Sequence, residues 1–108
     1  MSFFIMSINS ITDQLKTATD YQQNRRLLRE RIQTDLLLPY NGGLFRVSPD
    51  LISFLNAWDA DTIYLEDLYD NPIEVKRLTL LDEARSHYQR VMNRWHQEHE
   101  ELRKIRRL

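Results

Sequence analysis

Apolar residues in the first third of the chain recur at helical spacing. Ile8, Ile11, Leu15, Ala18, Tyr21, Leu28, Ile32 and Leu36 follow one another by three, four or seven positions, the interval that gathers side chains on one stripe of an α-helix. Ser10 with Asp13 three residues on has capping-box character, so the pattern predicts a long helix from about Ile11 to about Leu37, within a segment 10–38. Pro39 disfavours helical geometry at the residue before it, and Asn41-Gly42-Gly43 supplies a turn, which ends the helix there. Residues 1–9 are read as an N-terminal arm. Phe3, Phe4 and Ile5 are its sticky part, and Met6 is an alternative start.

The pattern changes over 42–77, which is expected to form a compact α+β centre. Leu44-Phe-Arg-Val47 is a strand candidate, and Ser48-Pro49-Asp50 combines an N-cap, a first-turn proline and a first-turn acid, predicting a short helix from Asp50 to about Trp58. Its apolar face is Leu51, Phe54, Leu55 and Trp58. Thr62 to Leu68 then alternates, with Ile63 and Leu65 on one face and Tyr64 and Glu66 on the other. After Tyr69-Asp-Asn-Pro72 a second alternating run, Ile73-Glu-Val-Lys76, completes a β-hairpin. Asp67 and Asp70 are of the type that builds turns.

From Thr79 to Leu108 the helical period returns. Leu81, Tyr88, Trp95 and Leu102 stand seven apart, and Ala84, Val91, Glu98 and Ile105 follow each by three, the spacing of a coiled-coil seam. Thr79 and Asp82 are read as the cap, with Asp82 and Glu83 in the first turn and Arg103, Lys104, Arg106 and Arg107 in the last, the order a helix dipole favours. Glu98 is the polar exception in the seam. A buried carboxylate needs a partner, and Arg94 and the Arg25–Arg31 cluster are the candidates. One polar core position also fixes register or oligomeric state in coiled coils.

The fold class expected is therefore α+β and helix-dominated. It is a single domain over 1–108 in which two long helices, an antiparallel pair in the simplest case, flank a short helix and a small antiparallel β-hairpin. A chain of 108 residues with 42% hydrophobic content supports one core. It contains no cysteine, which removes disulfides, thiolate metal sites and thiol nucleophiles. The N-terminal apolar run lacks the basic and cleavage regions of a signal peptide. A cytoplasmic setting without membrane insertion is the expectation.

Charge is neutral in sum and segregated in place. The net charge is −1, but Ser48 to Val75 carries seven acids and no lysine or arginine, while Arg25, Arg26, Arg29 and Arg31 cluster on the first helix and the basic end closes the last. Such a layout fits head-to-tail joining of copies or a partner of either sign. Because arginine grips phosphate bidentately and supplies twelve of the fifteen basic residues, an accessory nucleic-acid-binding role is the alternative function. Arg25, Arg26, Arg29, Arg103, Arg106 and Arg107 would make its contacts. No zinc-finger spacing, aromatic RNA-binding motif or helix-turn-helix accompanies them.

Catalytic chemistry finds no matching pattern. His96 and His99 are three apart with His87 further back, but neither zinc-protease motif nor the di-iron Glu-x-x-His pair is present, and no metal or other cofactor is expected. Gly42 and Gly43 are the only glycines, so there is no phosphate-cradling loop. The chain is read as a non-enzyme. Its leading function is protein–protein interaction in a structural or assembly role, self-associating into a homo-oligomer through Tyr88, Val91, Met92, Trp95, Glu98, Leu102 and Ile105. The acidic hairpin is a second surface, one that would also suit regulatory binding of a host protein.

The stretch Leu65-Glu-Asp-Leu-Tyr-Asp-Asn-Pro-Ile-Glu-Val75, followed by Leu81-Asp-Glu-Ala-Arg-Ser-His-Tyr-Gln-Arg-Val-Met-Asn-Arg-Trp95, resembles small, mostly uncharacterised proteins of tailed bacteriophages, including phages of cyanobacteria. The resemblance implies a virion component, an assembly factor or a small accessory protein made in the infected bacterial cell. It implies no catalytic or binding residue.

Overall fold

The computed structural model describes the backbone of residues 2–107 and the side chains of residues 18–104. The element order is α1 (Ser2–Asp35), β1 (Leu37–Tyr40), β2 (Gly43–Arg46), α2 (Pro49–Ala57), β3 (Thr62–Glu66), β4 (Pro72–Lys76) and α3 (Arg77–Arg107). The fold is α+β and helix-dominated, as the periodicity predicts, with two separate two-stranded antiparallel sheets. It is long and thin, 75 × 24 × 18 Å with a radius of gyration of 21.4 Å. A compact domain of this length would have a radius near ~13 Å.

The first long helix stops two residues before its expected end, and residues 37–40 form a strand. The expectation of helix to Leu37 and beyond is corrected here. The Leu36-Leu37-Leu38 run keeps the helical period alive in the sequence, but β1 pairs with β2 in the register Leu38↔Phe45 and Tyr40↔Gly43. The two-residue loop is Asn41 (φ 47°) and Gly42 (φ 82°), the left-handed pair of a type I′ turn, whose twist matches a hairpin. Strand β2 also begins one residue earlier than expected, at Gly43. A Cβ there would lie 2.6 Å from Ile73 Cγ1, so glycine permits the two hairpins to touch. Backbone residues 2–9 continue α1 rather than forming a separate arm, and the side chains of Phe3, Phe4 and Ile5 lie outside the described residues.

The short helix α2 starts as its sequence predicts. Ser48 Oγ accepts from Leu51 N at 3.1 Å, and Pro49 opens the first turn. The β3–β4 hairpin pairs Ile63↔Val75 and Tyr64↔Glu74, also as predicted. Helix α3 departs from the prediction at its start. It follows β4 without a loop from Arg77, so Thr79 lies inside the first turn instead of capping it, and that turn contains no acid. The junction is held by Arg77 instead: its N–H donates to Asp61 O at 2.9 Å, its Nε to Ala60 O at 2.8 Å and its Nη1 to Leu55 O at 2.8 Å. The last bond places a cation on the C-terminal carbonyls of α2, where the helix dipole favours it.

These elements make two cores. In the head, Phe45, Leu55, Val75, Leu80 and Leu81 are buried together, flanked by Leu38, Leu51, Ile52, Ile63, Leu65 and Ile73. Full burial of each such side chain contributes about 1.5–3 kcal/mol. In the stalk, Leu28 and Ile32 of α1 and Leu36 just after it meet Val91 of α3, with Tyr88, Met92 and Leu102 half-buried beside them. Helices α1 and α3 run antiparallel, since Arg31 pairs with Glu98 and Asp35 with Arg94. Extending that register brings Arg107 level with Gln22, so the backbone of α1 continues past the end of α3.

Candidate interaction surfaces

The seam predicted on the last helix is divided between three environments. Leu81 goes into the head, Ala84 is fully buried, and Val91 is buried against α1 with Tyr88, Met92 and Leu102 alongside. On this side the expected antiparallel pairing of the two long helices occurs within one chain. The occupant is α1 of the same chain, because a hairpin-linked antiparallel helix is already positioned to cover the stripe. Glu98 meets Arg31, one of the cluster expected to neutralise it, within the same chain. Ile105 lies outside the described side chains.

What α1 leaves uncovered is the flank. Trp95 is 39% exposed, and its ring sits 5.4 Å from the tilted ring of His99. At helical spacing Tyr88, Met92, Trp95 and His99 form a band along α3 beside the α1 contact. Between the two helices an open groove of 540 Å³ is lined by Asn24, Leu27, Leu28 and Arg31 of α1 and by Glu98, Glu101 and Leu102 of α3. His87 has a structural use: its Nε2 donates to Asp35 O at 2.6 Å, closing the end of α1. His96 is exposed, and among the described residues no three of His, Cys, Asp or Glu converge on a point where a metal ion could sit.

Several of the clustered arginines have partners within the chain. Arg26 is paired with Glu30 at 4.0 Å, Arg103 with Glu100 at 3.0 Å and Arg94 with Asp35 at 3.3 Å, and Arg25 lies 5.9 Å from the Tyr21 ring centre. Arg29 and Lys104 are exposed. Arg106 and Arg107 fall outside the described side chains. Of the arginines expected to contact nucleic acid, Arg26 and Arg103 are thus engaged by acids on their own helices.

The acidic head is organised around Asp67, which sequence reading identifies only as a turn former. Its Oδ1 accepts from Tyr69 N at 3.0 Å and Asn71 N at 3.0 Å, and its Oδ2 accepts from Leu44 N at 3.1 Å. One carboxylate therefore builds the β3–β4 loop and fastens it to β2. It is 7% exposed. The Asn71 N–H does most to hold its carboxyl below the ordinary value of 3.8, with Leu44 and Tyr69 adding and burial acting against them. Asp70, at φ 62°, takes the left-handed position of the same loop. An Asp four residues before an Asn-Pro, between two alternating runs, is the signal for such a loop anchor.

Aromatic and apolar side chains are exposed on the same head. Phe54 and Trp58 stack at 5.2 Å on α2, Leu78 is exposed on the first turn of α3, and Tyr64 and Tyr69 are 71% and 70% exposed on and beside β3. Asp59, Asp61, Glu66, Asp70 and Glu74 of the same head are also exposed. These features define a class: a helix-dominated α+β protein with an acidic aromatic head on a two-helix stalk. No protein-family model matches this chain, and comparison with curated proteins and with solved structures returns no match. No helix among the described residues is long and apolar enough to cross a membrane.

Proposed function

We propose that this protein is a non-catalytic interaction protein with a structural or assembly role, and that it self-associates through the uncovered flank of α3. The observation that carries this reading is Trp95, a large aromatic 39% exposed between Met92 and His99 on that flank. Tryptophan is the residue that most often anchors an interface once a partner desolvates it. The elongated shape fits the role, since a narrow stalk offers lateral surface along its length to another copy. A cytoplasmic setting in an infected bacterial cell, or a place in a virion, follows from the phage resemblance and is part of the same proposal.

Light scattering on a sizing column over a concentration series tests it. The expected result is a dimer or larger oligomer. Trp95→Ala should weaken it by at least about thirtyfold, the effect of a 2 kcal/mol hot spot, while far-UV dichroism keeps its helical signal. A monomer at every concentration overturns the reading. Salt-sensitive binding to a nucleic-acid duplex by that monomer would favour the arginine-based alternative instead.

A further inference from the structure

We infer that the outer edge of β3 is a docking site for an extended, basic segment of a partner protein, which would add a third strand to the β3–β4 sheet. The Arg77 N–H to Asp61 O bond fixes the phase of this ladder. With the register Thr62↔Lys76 and Tyr64↔Glu74, the backbone groups of Ile63 and Leu65 point towards β4, and those of Thr62, Tyr64 and Glu66 point away from it.

The two edges of this sheet are treated differently. On β4 the outward groups are occupied: Lys76 N donates to Tyr40 Oη at 3.2 Å, and Glu74 O accepts from Asn41 Nδ2 at 2.9 Å. Pro72 has no N–H to offer. Hairpin β1–β2 therefore caps one edge with two side chains. Among the described residues nothing pairs with the outward groups of Thr62, Tyr64 and Glu66. Proteins ordinarily blunt a sheet edge with a proline, a bulge, a lysine or a covering element. Strand β3, Thr62-Ile-Tyr-Leu-Glu66, carries none of these and is rich in strand-forming residues.

Charge selects the occupant. A second copy docking edge to edge around Tyr64 would bring two acidic strands together, with Asp59, Asp61, Glu66 and Asp70 on each side and Lys76 across the ladder as the nearby cation. A basic strand meets the opposite field. Side chains of an added strand alternate between faces. Those beside Ile63 and Leu65, which are half-buried, would extend the head core and should be apolar. Those beside Tyr64 and Glu66 should be lysine or arginine, pairing with the carboxylate and lying on the exposed ring.

Selection of random octapeptides displayed on phage against the full-length chain tests this. The expected consensus alternates apolar and basic residues, and an enriched peptide made synthetically should slow hydrogen exchange at the amides of Tyr64 and Glu66. Tyr64→Pro removes an N–H that faces away from β4, so the hairpin ladder survives. It should weaken the peptide by at least about tenfold, whereas Tyr64→Thr, which keeps the N–H, should stay within about threefold. Absence of a consensus, unprotected Tyr64 and Glu66 amides, or equal binding to the proline variant overturns the inference. A self-associated wild type that becomes monomeric on Tyr64→Pro also overturns it, by making the occupant a second copy. Because Trp95→Ala does not touch this edge, failure here and failure of the stalk interface are separable.

Discussion

Head and stalk are built from the same residue types and held by different means. In the head, Leu55, Val47, Val75 and Leu80 are fully buried by contributions from both hairpins, α2 and α3, and polar groups such as Asp67 and Arg77 tie one element to the next. In the stalk two helices share a single apolar stripe, and a helix pair covers only one side of each member. The ion pairs along it are half-exposed, as with Arg31 and Glu98 at 57% and 31%. Surrounding an apolar side chain completes its transfer from water, whereas a two-helix seam leaves each flank wet. The head is thus the stability centre, and the stalk is the region with surface to spare.

The sharpest way to break this comparison is to remove one leucine from each region. Leu80→Ala opens a cavity in the cluster that holds the fully buried Leu55 and Val75 and should cost about 3–5 kcal/mol, read as a lower midpoint in urea. Leu28→Ala, beside the open groove between the helices, should cost about 2–3 kcal/mol, because the site can collapse or admit water. Native-state hydrogen exchange should show faster opening confined to the stalk for Leu28→Ala and acceleration throughout for Leu80→Ala. Equal midpoints and equal exchange patterns would mean that head and stalk form one cooperative unit.

Asp67 sharpens the account of the head. Asn is nearly the same shape, but its amide NH₂ would have to face either the Leu44 N–H or the pair from Tyr69 and Asn71, a donor against a donor. Asp67→Asn should therefore lower the melting temperature, by less than Leu80→Ala does. The pH dependence has a definite sign. The folded carboxyl titrates below its unfolded value of 3.8, so its contribution is complete above that value and is lost as pH falls through the folded one. The gap between wild type and Asp67→Asn should stay level from about pH 5 to 8 and shrink below about pH 4. A gap that widens in acid would show that the carboxylate is not the form that stabilises the loop.

The head also shows where local pattern is sufficient and where it misleads. Ser48-Pro49-Asp50 specifies α2 because a cap, a fixed φ and an acid all act within one turn. The β3–β4 hairpin is legible because Ile63, Leu65, Ile73 and Val75 alternate without interruption. Hairpin β1–β2 is obscured: Leu36, Leu37 and Leu38 satisfy helical and extended burial alike, and the decision between them rests with Asn41-Gly42, whose paired positive φ values select a tight hairpin. The start of α3 is obscured for a different reason, since Arg77 is held by carbonyls of Leu55 and Ala60, far away in sequence. The heptad rows show that α3 has an apolar stripe and cannot say which helix lies on it. Burial of Val91 against α1 and exposure of Trp95 both depend on which side of α3 is covered by α1.

Glu98 gives the smallest expected effect and the finest test of the stalk. In a closed seam an isolated carboxylate would be costly, and its replacement by leucine would stabilise the helix pair by several kcal/mol. Here Glu98 lies at the margin of the seam, half-exposed, against an Arg31 that is more exposed still. A pair in that position contributes about 0–1 kcal/mol, because water already screens both groups and holding two long side chains costs entropy. Glu98→Leu removes this small term and adds apolar area at the edge of the groove lined by Leu27 and Leu102, so the two changes nearly cancel. The urea midpoint should move by no more than about 0.5 kcal/mol in equivalent free energy. A large gain in stability accompanied by a higher native mass would place Glu98 in a closed intermolecular seam, and the stalk would then bury more than its own two helices.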